Sequence, residues 1–193
     1  MINTKEFILK SIFGGILISL GGFVYVSSGM SIIGAILFAF GLISVVLTKS
    51  NLFTGKSGFC ETSQDFINLL YILILNIIGC FAMGYIGHNL DTSSIVYARL
   101  NKSIIDIFLL SVGTGMIMTI AVNYAKQDKW LPLLFGVPLF IICGMPHCIA
   151  DAFYYSSYFW SNLNLNSEIF YIYSITIFGN FIGCLLPTKI FNI

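Results

Sequence analysis

One histidine of this chain lies in the middle of a strongly apolar stretch. Within residues 140–153, the helix-breaking and ionisable residues near the centre are Gly144, Pro146, His147 and Asp151. Proline removes a backbone N–H, and its ring clashes with the preceding helical turn. An ionisable side chain at membrane depth costs at least about 2.5 kcal/mol, and such residues usually face a cavity or a partner. The stretch therefore predicts a broken membrane helix with a polar cluster, which is typical of a transport site.

The chemistry predicted from these residues is the binding of a small anion. Where a broken helix restarts, its unpaired N–H groups and its dipole create positive potential, which can hold an anion without a cationic side chain. His147 can add a proton or a hydrogen-bond donor, and Thr54 offers a hydroxyl from a second irregular stretch. Asp151 follows His147 by four residues. It is therefore either a partner of that histidine on one helix face or a residue of a pore vestibule.

Each of these polar residues also has a purely structural interpretation. A histidine in an apolar span can serve only as a hydrogen-bonded core residue, and a threonine in a membrane helix commonly bonds its own backbone. Asn76 and Asn180 are expected to support the broken segments by bonding freed backbone groups rather than to contact a substrate. We expect Gly144 to contribute to the same support, because glycine tolerates the backbone conformations of a helix interruption.

The composition excludes a soluble protein. Hydrophobic residues make up 58% of the chain and charged residues 9%, whereas soluble domains carry about 25% charged residues. The net charge of +1 and the lack of a basic run give no indication of a nucleic-acid partner. Most of the five cysteines lie inside apolar runs, where free cysteine behaves as a small hydrophobe. We therefore expect an integral membrane protein with no metal site, no disulfide and no cofactor.

Six apolar stretches are long enough to be considered as membrane spans, because a spanning helix needs about 20 apolar residues. The second continues irregularly through 51–55, and the fifth is broken at 144–147. Little of the chain remains outside them, so we expect one membrane domain, residues 1–193. The predicted spans are 7–26, 31–48, 66–86, 104–124, 131–150 and 169–190.

The distribution of basic residues predicts the orientation in the membrane. With the N-terminus inside, the inner loops and tails carry seven lysines, against Arg99 and Lys102 outside. Because cytoplasmic loops carry the excess of Lys and Arg, we expect both termini in the cytoplasm, in a bacterial inner membrane. The inner set is Lys5, Lys10, Lys49, Lys56, Lys126, Lys129 and Lys189.

A short motif occurs twice and predicts an internal repeat. Residues 76–80 and 180–184 share the pattern Asn-x-Ile-Gly-Cys, and in each case the preceding span is the interrupted one. The halves are 7–90 and 100–190. Three spans are an odd number, so the halves must have opposite orientations in the membrane. Inverted repeats place the substrate site near the bilayer midplane, on discontinuous helices.

The chain resembles the formate/nitrite transporter family along nearly its whole length. Residues 11–22 resemble the family's first span, and 51–55 resemble its Leu-Phe-Thr loop. Residues 76–79 and 180–183 resemble its two Asn-x-x-Gly motifs, and 144–151 its Gly-Phe-Glu-His-x-Ile-Ala-Asn signature. The resemblance implies an all-α, aquaporin-like fold of three plus three spans, assembled as a homopentamer with one pore per subunit.

The same resemblance implies roles for individual residues. Thr54 and His147 fall on the family's pore centre. Its apolar constrictions fall on Phe38 and Leu42 on one side of that centre and on Phe140 on the other. Apolar rings disfavour bare ions, so a weak-acid anion would take a proton between them and pass as the neutral acid. The sequence leaves open whether His147 donates this proton or only tunes the field.

The chain departs from the family pattern at several polar positions. Pro146 replaces the glutamate before the histidine, and Asp151 replaces the asparagine after it. Gly115 stands where many members have asparagine. The basic residue near the start of the fourth span has two candidates, Arg99 and Lys102. These departures alter the polar lining and leave the substrate open.

Three functions compete on the sequence alone. The first is a channel or transporter for small monovalent anions or their weak acids, such as formate, nitrite or hydrosulfide. The second is a pore for a neutral solute such as water or ammonia, although an Asn-Pro-Ala pair of the aquaporin type is absent. The third is an intramembrane enzyme using His147, Asp151 and Cys148, which lacks a second acid/base set. We predict the first function and expect no enzymatic activity.

Overall fold

The protein is helical throughout the part of the chain that the structure describes. A computed structural model describes residues 4–163 and 166–191, and within them it contains nine α-helices and no strand. This confirms the predicted all-α class. The helices are α1 Thr4–Ser27, α2 Ile32–Leu47, α3 Phe53–Ser57, α4 Ser63–Ile86, α5 Ser93–Leu100, α6 Ile104–Ala125, α7 Leu131–Ile142, α8 Cys148–Asn162 and α9 Ser167–Phe191.

Four of these helices, α1, α4, α6 and α9, are long and apolar enough to cross a membrane. Two shorter apolar helices, α2 and α7, contain 16 and 12 residues. Large apolar side chains are exposed on the outside of the molecule, including Ile105 at 69% and Phe135 at 72%. An outer surface of this kind is suited to lipid or to other subunits rather than to water.

Glycines allow α1 to pack closely against α4 and α6 against α9. A Cβ at Gly15 would overlap the carbonyl oxygen of Asn76, and a Cβ at Gly115 would overlap that of Asn180. Gly183 packs in the same way against Val112. The departure at position 115 therefore has a physical reason, because no larger side chain fits between α6 and α9 in this packing.

Two helices are interrupted, and each interruption is followed by a second helical segment. The chain leaves α2 at Leu47 and restarts as α3, and it leaves α7 at Ile142 and restarts as α8. The predicted end of the fifth span at residue 150 is wrong, because α8 continues to Asn162. The buried part of α8 includes polar side chains that are bonded inside the protein, such as Ser157 to the carbonyl oxygen of Gly87. The apolar-run criterion misses a helix of this kind.

Candidate functional site

Asn76 lies at the first interruption and bonds three backbone groups there. Its Oδ1 accepts a hydrogen bond from the backbone N–H of Phe53 at 2.9 Å, at the start of α3. Its Nδ2 donates to the carbonyl oxygens of Asn51, at 2.9 Å, and of Ser11 in α1. The side chain is fully buried. One amide therefore satisfies groups that the helix break would otherwise leave unpaired.

Asn180 bonds the second interruption in the same pattern. Its Oδ1 accepts from the backbone N–H of Cys148 at 2.8 Å, at the start of α8. Its Nδ2 donates to the carbonyl oxygens of Pro146 at 3.1 Å and of Ser111 in α6 at 2.8 Å. Pro146 has no N–H to satisfy, and its carbonyl oxygen accepts a hydrogen bond from Asn180. The proline is therefore compatible with this connector.

His147 is the N-cap residue of α8. Its Nδ1 accepts a hydrogen bond from the backbone N–H of Ala150 at 3.1 Å. A ring nitrogen that accepts carries no proton, so the proton of the neutral imidazole is on Nε2. Nε2 lies 3.0 Å from the hydroxyl oxygen of Thr54. A second proton would have to go onto Nδ1 and would displace the cap, so the capping bond favours the neutral form of the ring.

Thr54 is oriented by this imidazole. Nε2–H donates to its Oγ1, which leaves the threonine O–H as a donor. Among residues 4–163 and 166–191, the hydroxyl has no other hydrogen-bond partner. Both side chains are buried, with His147 1% exposed and Thr54 0%. The pair therefore presents a hydroxyl donor in an apolar interior.

The rings of Phe38, Phe140 and His147 contact one another in series. Phe140 stacks on the imidazole with ring centroids 5.4 Å apart, and Phe38 meets Phe140 edge to face at 6.3 Å. The prediction that Phe38 and Phe140 lie on opposite sides of the centre is therefore wrong: they form one apolar cluster. Leu42 is buried one turn after Phe38 on α2. Sequence reasoning had no means of fixing how α2 and α7 rotate against each other.

A buried ion pair joins α5 to α8. Arg99 Nε and Nη2 each donate to one carboxylate oxygen of Asp151 at 3.2 Å, and Nη1 donates to the carbonyl oxygen of Gly144 at 2.8 Å. Arg99 is 7% exposed and Asp151 0%. Asp151 thus pairs with Arg99 rather than with His147, the first of the two predicted alternatives. Of the two basic candidates, Arg99 reaches the site, whereas Lys102 is half-buried and its described bond is a backbone one, to Arg99.

One cavity reaches this centre, and a second lies beside the first interruption. The first, which we call the Arg99 cavity, has a volume of about 210 Å³ and is lined by residues including Arg99, Asp151, Phe140 and His147. The second, the lysine cavity, measures about 480 Å³. Its lining includes Lys49, Lys56 and Lys126, as well as Leu52 and Gly55, which flank the α3 turn carrying Thr54. Burial, and then the nearby charge of Lys56, lower the pKa of Lys126.

Two cysteines were not assigned a role from the sequence, and they connect the two interruptions. The Cys80 thiol lies 3.3 Å from the carbonyl oxygen of Ile149 in α8, and the Cys184 thiol lies 3.3 Å from that of Thr54 in α3. Each cysteine is the last residue of one Asn-x-Ile-Gly-Cys motif. Each cysteine follows its asparagine by four residues, and this repeated spacing could have indicated a shared role. Over the described ranges, the structure contains no group of three or more His, Cys, Asp or Glu residues placed to hold a metal.

Long apolar helices around a buried polar centre, with a cavity leading to it, are the features of a membrane transport protein. The model of the family described as "Formate/nitrite transporter" matches residues 1–193, and the chain belongs to that family. It is therefore an integral membrane protein of a family of transporters rather than of enzymes.

Individual relatives agree with this assignment. The chain is 26% identical over 188 residues to the uncharacterized transporter YrhG of Bacillus subtilis (strain 168), covering 84% of this chain and 66% of YrhG. Among solved structures, a pentameric formate channel with formate bound superposes with a TM-score of 0.77 at 18% identity, covering 97% of this chain and 94% of that one. An FNT family ion channel superposes with a TM-score of 0.75 at 17% identity, covering 98% and 88%. These similarities show the shared fold.

Proposed function

We propose that this protein is a channel for small monovalent anions or their weak acids, of the class of formate, nitrite and hydrosulfide. The observation that carries the proposal is the direction of the hydrogen bonds at the centre. The Ala150 N–H donates to His147, and His147 donates to Thr54. The Thr54 hydroxyl is therefore free to donate a hydrogen bond to a permeating anion. A free hydroxyl donor of this kind suits an anion or a weak acid.

The surroundings of this donor suit the passage of a weak acid. Phe140 stacks on His147 and Phe38 contacts Phe140; with the buried Leu42 they act as the apolar constrictions, which disfavour bare ions. The anion takes up a proton before it passes them. Because the capping bond occupies Nδ1, the neutral His147 acts as an oriented donor through Nε2–H and Thr54. The transferred proton then comes from solvent.

The architecture that we propose for this function is a single domain of six spans in an inverted repeat of 7–90 and 100–190. The fifth and second spans are then the interrupted ones, and the equivalent bonds of Asn76 and Asn180 support the repeat. The chain lies in a bacterial inner membrane with both termini in the cytoplasm. The Arg99 cavity then faces outward and the lysine cavity inward.

We further propose a homopentamer with a pore in each subunit. The solved neighbour with formate bound is pentameric, and exposed apolar residues such as Phe135 provide surface for subunit contact. Multi-angle light scattering on the detergent-solubilised protein, corrected for bound detergent, tests this state. A mass well below five chains would contradict it.

Flux into proteoliposomes tests the function. We expect uptake of at least one of formate, nitrite and hydrosulfide, and faster uptake at mildly acidic than at neutral pH, because more weak acid is then available. His147→Asn should change the selectivity before it abolishes flux, and because the proton comes from solvent the flux should still rise at acidic pH. No uptake of any of the three, in either direction and at either pH, would overturn the proposal.

A pore for a neutral solute such as ammonia or water is the second candidate. The Arg99–Asp151 pair favours it, because a cation and a carboxylate together leave the lining of the Arg99 cavity without net charge. Shrinkage of the same proteoliposomes after an osmotic jump, and internal alkalinisation after addition of ammonia, decide this question. Fast responses without anion uptake would favour the neutral pore.

A further inference from the structure

We propose that the Arg99 cavity contains a binding subsite for a small monovalent anion, formed by Arg99 and the hydroxyl of Tyr154. This proposal rests on the proposed function, because the subsite holds the anion before it reaches Thr54 and His147. Ser94 and Tyr25 line the same cavity. Its volume of about 210 Å³ accommodates an anion of three or four heavy atoms together with a few water molecules.

Arg99 retains donors that the described protein does not use. A guanidinium carries five N–H groups. Asp151 takes one from Nε and one from Nη2, and the carbonyl oxygen of Gly144 takes one from Nη1. One N–H on Nη1 and one on Nη2 remain. Each can donate to an oxygen of an anion such as formate or nitrite.

Tyr154 supplies an independent indication of a missing partner. Its side chain is 2% exposed and lines the Arg99 cavity. Within the described residues, its hydroxyl is buried and has no hydrogen-bond partner. A buried polar group without a partner is costly, and a bound anion would accept the bond that this O–H can donate.

Asp151 sets the strength of the subsite. Its carboxylate can only accept hydrogen bonds, so it offers an anion no contact and partly cancels the field of Arg99. An anion held by a fully uncompensated buried arginine would leave slowly, whereas conduction requires binding that is also weak enough for release. The pair therefore gives a subsite that is specific in geometry and moderate in affinity.

The test compares two neighbouring tyrosines. Tyr155 also has a buried hydroxyl without a described partner, but it packs with Val96 and Ile169 and lies outside the lining of the Arg99 cavity. We expect Tyr154→Phe to raise the half-saturating formate concentration for flux about tenfold, since it removes one hydrogen bond to a charged ligand. The maximal flux should change little. Tyr155→Phe should leave both quantities at their wild-type values.

Equal half-saturating concentrations in the two variants would overturn the subsite, provided that both conduct. If wild-type proteoliposomes conduct none of the three anions, the proposed function fails instead, so the two failures are distinguishable. Arg99→Lys keeps the charge but loses the planar pair of donors. It should raise the half-saturating concentration at least as much as Tyr154→Phe, and the tyrosine pair remains decisive if this variant does not fold.

Discussion

The two helix interruptions are built on one backbone plan. Each upstream helix ends in a residue with positive φ, Lys49 at 53° and Gly144 at 60°. Each end carries the paired 6→1 and 5→2 hydrogen bonds of a Schellman motif. Three residues then separate the caps of the two helical segments, and one buried asparagine bonds the connector. The same backbone geometry therefore forms wherever one buried asparagine amide can bond the connector.

The interruptions differ in the residue at the restart and in what holds the connector. The first restarts at Leu52, whose side chain makes no capping bond, and the second at His147, which caps α8. The first connector is bonded to α1 through the Asn51 N–H and Lys10, whereas Arg99 bonds the second. The difference shows how a repeated frame carries unlike chemistry: the imidazole comes from one interruption and the hydroxyl from the other.

The largest expected effect comes from removing Arg99, which bonds only the second interruption. Arg99→Met leaves the Asp151 carboxylate buried and unpaired, which costs about 3–5 kcal/mol. Adding Asp151→Asn should recover most of this loss, because it removes the lone charge. Thermal unfolding in detergent measures both changes. Lys102→Met is the matched control and should unfold like the wild type. A double variant no more stable than the single one would contradict this account.

Removing either asparagine tests the part that the interruptions share. Asn76→Ala and Asn180→Ala each leave two buried backbone groups of a connector without their partner, and each unsatisfied group costs about 1–3 kcal/mol. We therefore expect both variants to lose at least about 2 kcal/mol of stability. Asn68→Ala, on the same helix as Asn76 but bonded to the exposed Gln64, should have little effect. A large loss for only one of the two buried asparagines would break the equivalence.

Thr54 tests the part that the first interruption contributes to the centre. Thr54→Val keeps the shape and removes the donor, so anion flux should fall about tenfold to a hundredfold, the value of one hydrogen bond to a charged group. Thr54→Ser keeps the hydroxyl and should retain most of the flux. Proteoliposome uptake at a fixed anion concentration measures both. Equal flux in the serine and valine variants would show that the hydroxyl is not used.

The sequence predicts which polar side chains form the site better than it predicts which residues contact one another. Asn76, Asn180 and His147 are recognisable because burying a polar side chain in an apolar span costs free energy unless the side chain has a partner or a function. The Arg99–Asp151 pair spans 52 positions, so no local spacing rule detects it. The contact of Phe38 with Phe140 depends on how α2 and α7 are rotated, which periodicity alone does not fix.

The cap at the second interruption should have a smaller effect. His147→Leu removes the acceptor for the Ala150 N–H and should cost about 1 kcal/mol, the usual value of an N-cap. His147→Asn keeps an acceptor of the type preferred at this position and should unfold close to the wild type. Thermal unfolding separates the two, whereas flux does not, since both lose the imidazole. Equal losses in both variants would mean that the histidine does not act as a cap.

The smallest expected effect distinguishes the two residues with positive φ. A Cβ at Gly144 would meet nothing within 4 Å, so Gly144→Ala is opposed only by the left-handed backbone, at about 1 kcal/mol. Lys49 already bears that strain in the first interruption, and Lys49→Gly should relieve it. Both effects are partly offset, because glycine has more freedom to lose on folding than alanine or lysine. We therefore expect unfolding temperatures that shift by small amounts in opposite directions. A loss of stability in Lys49→Gly as large as that in Gly144→Ala would mean that the two ends are not held by the same backbone motif.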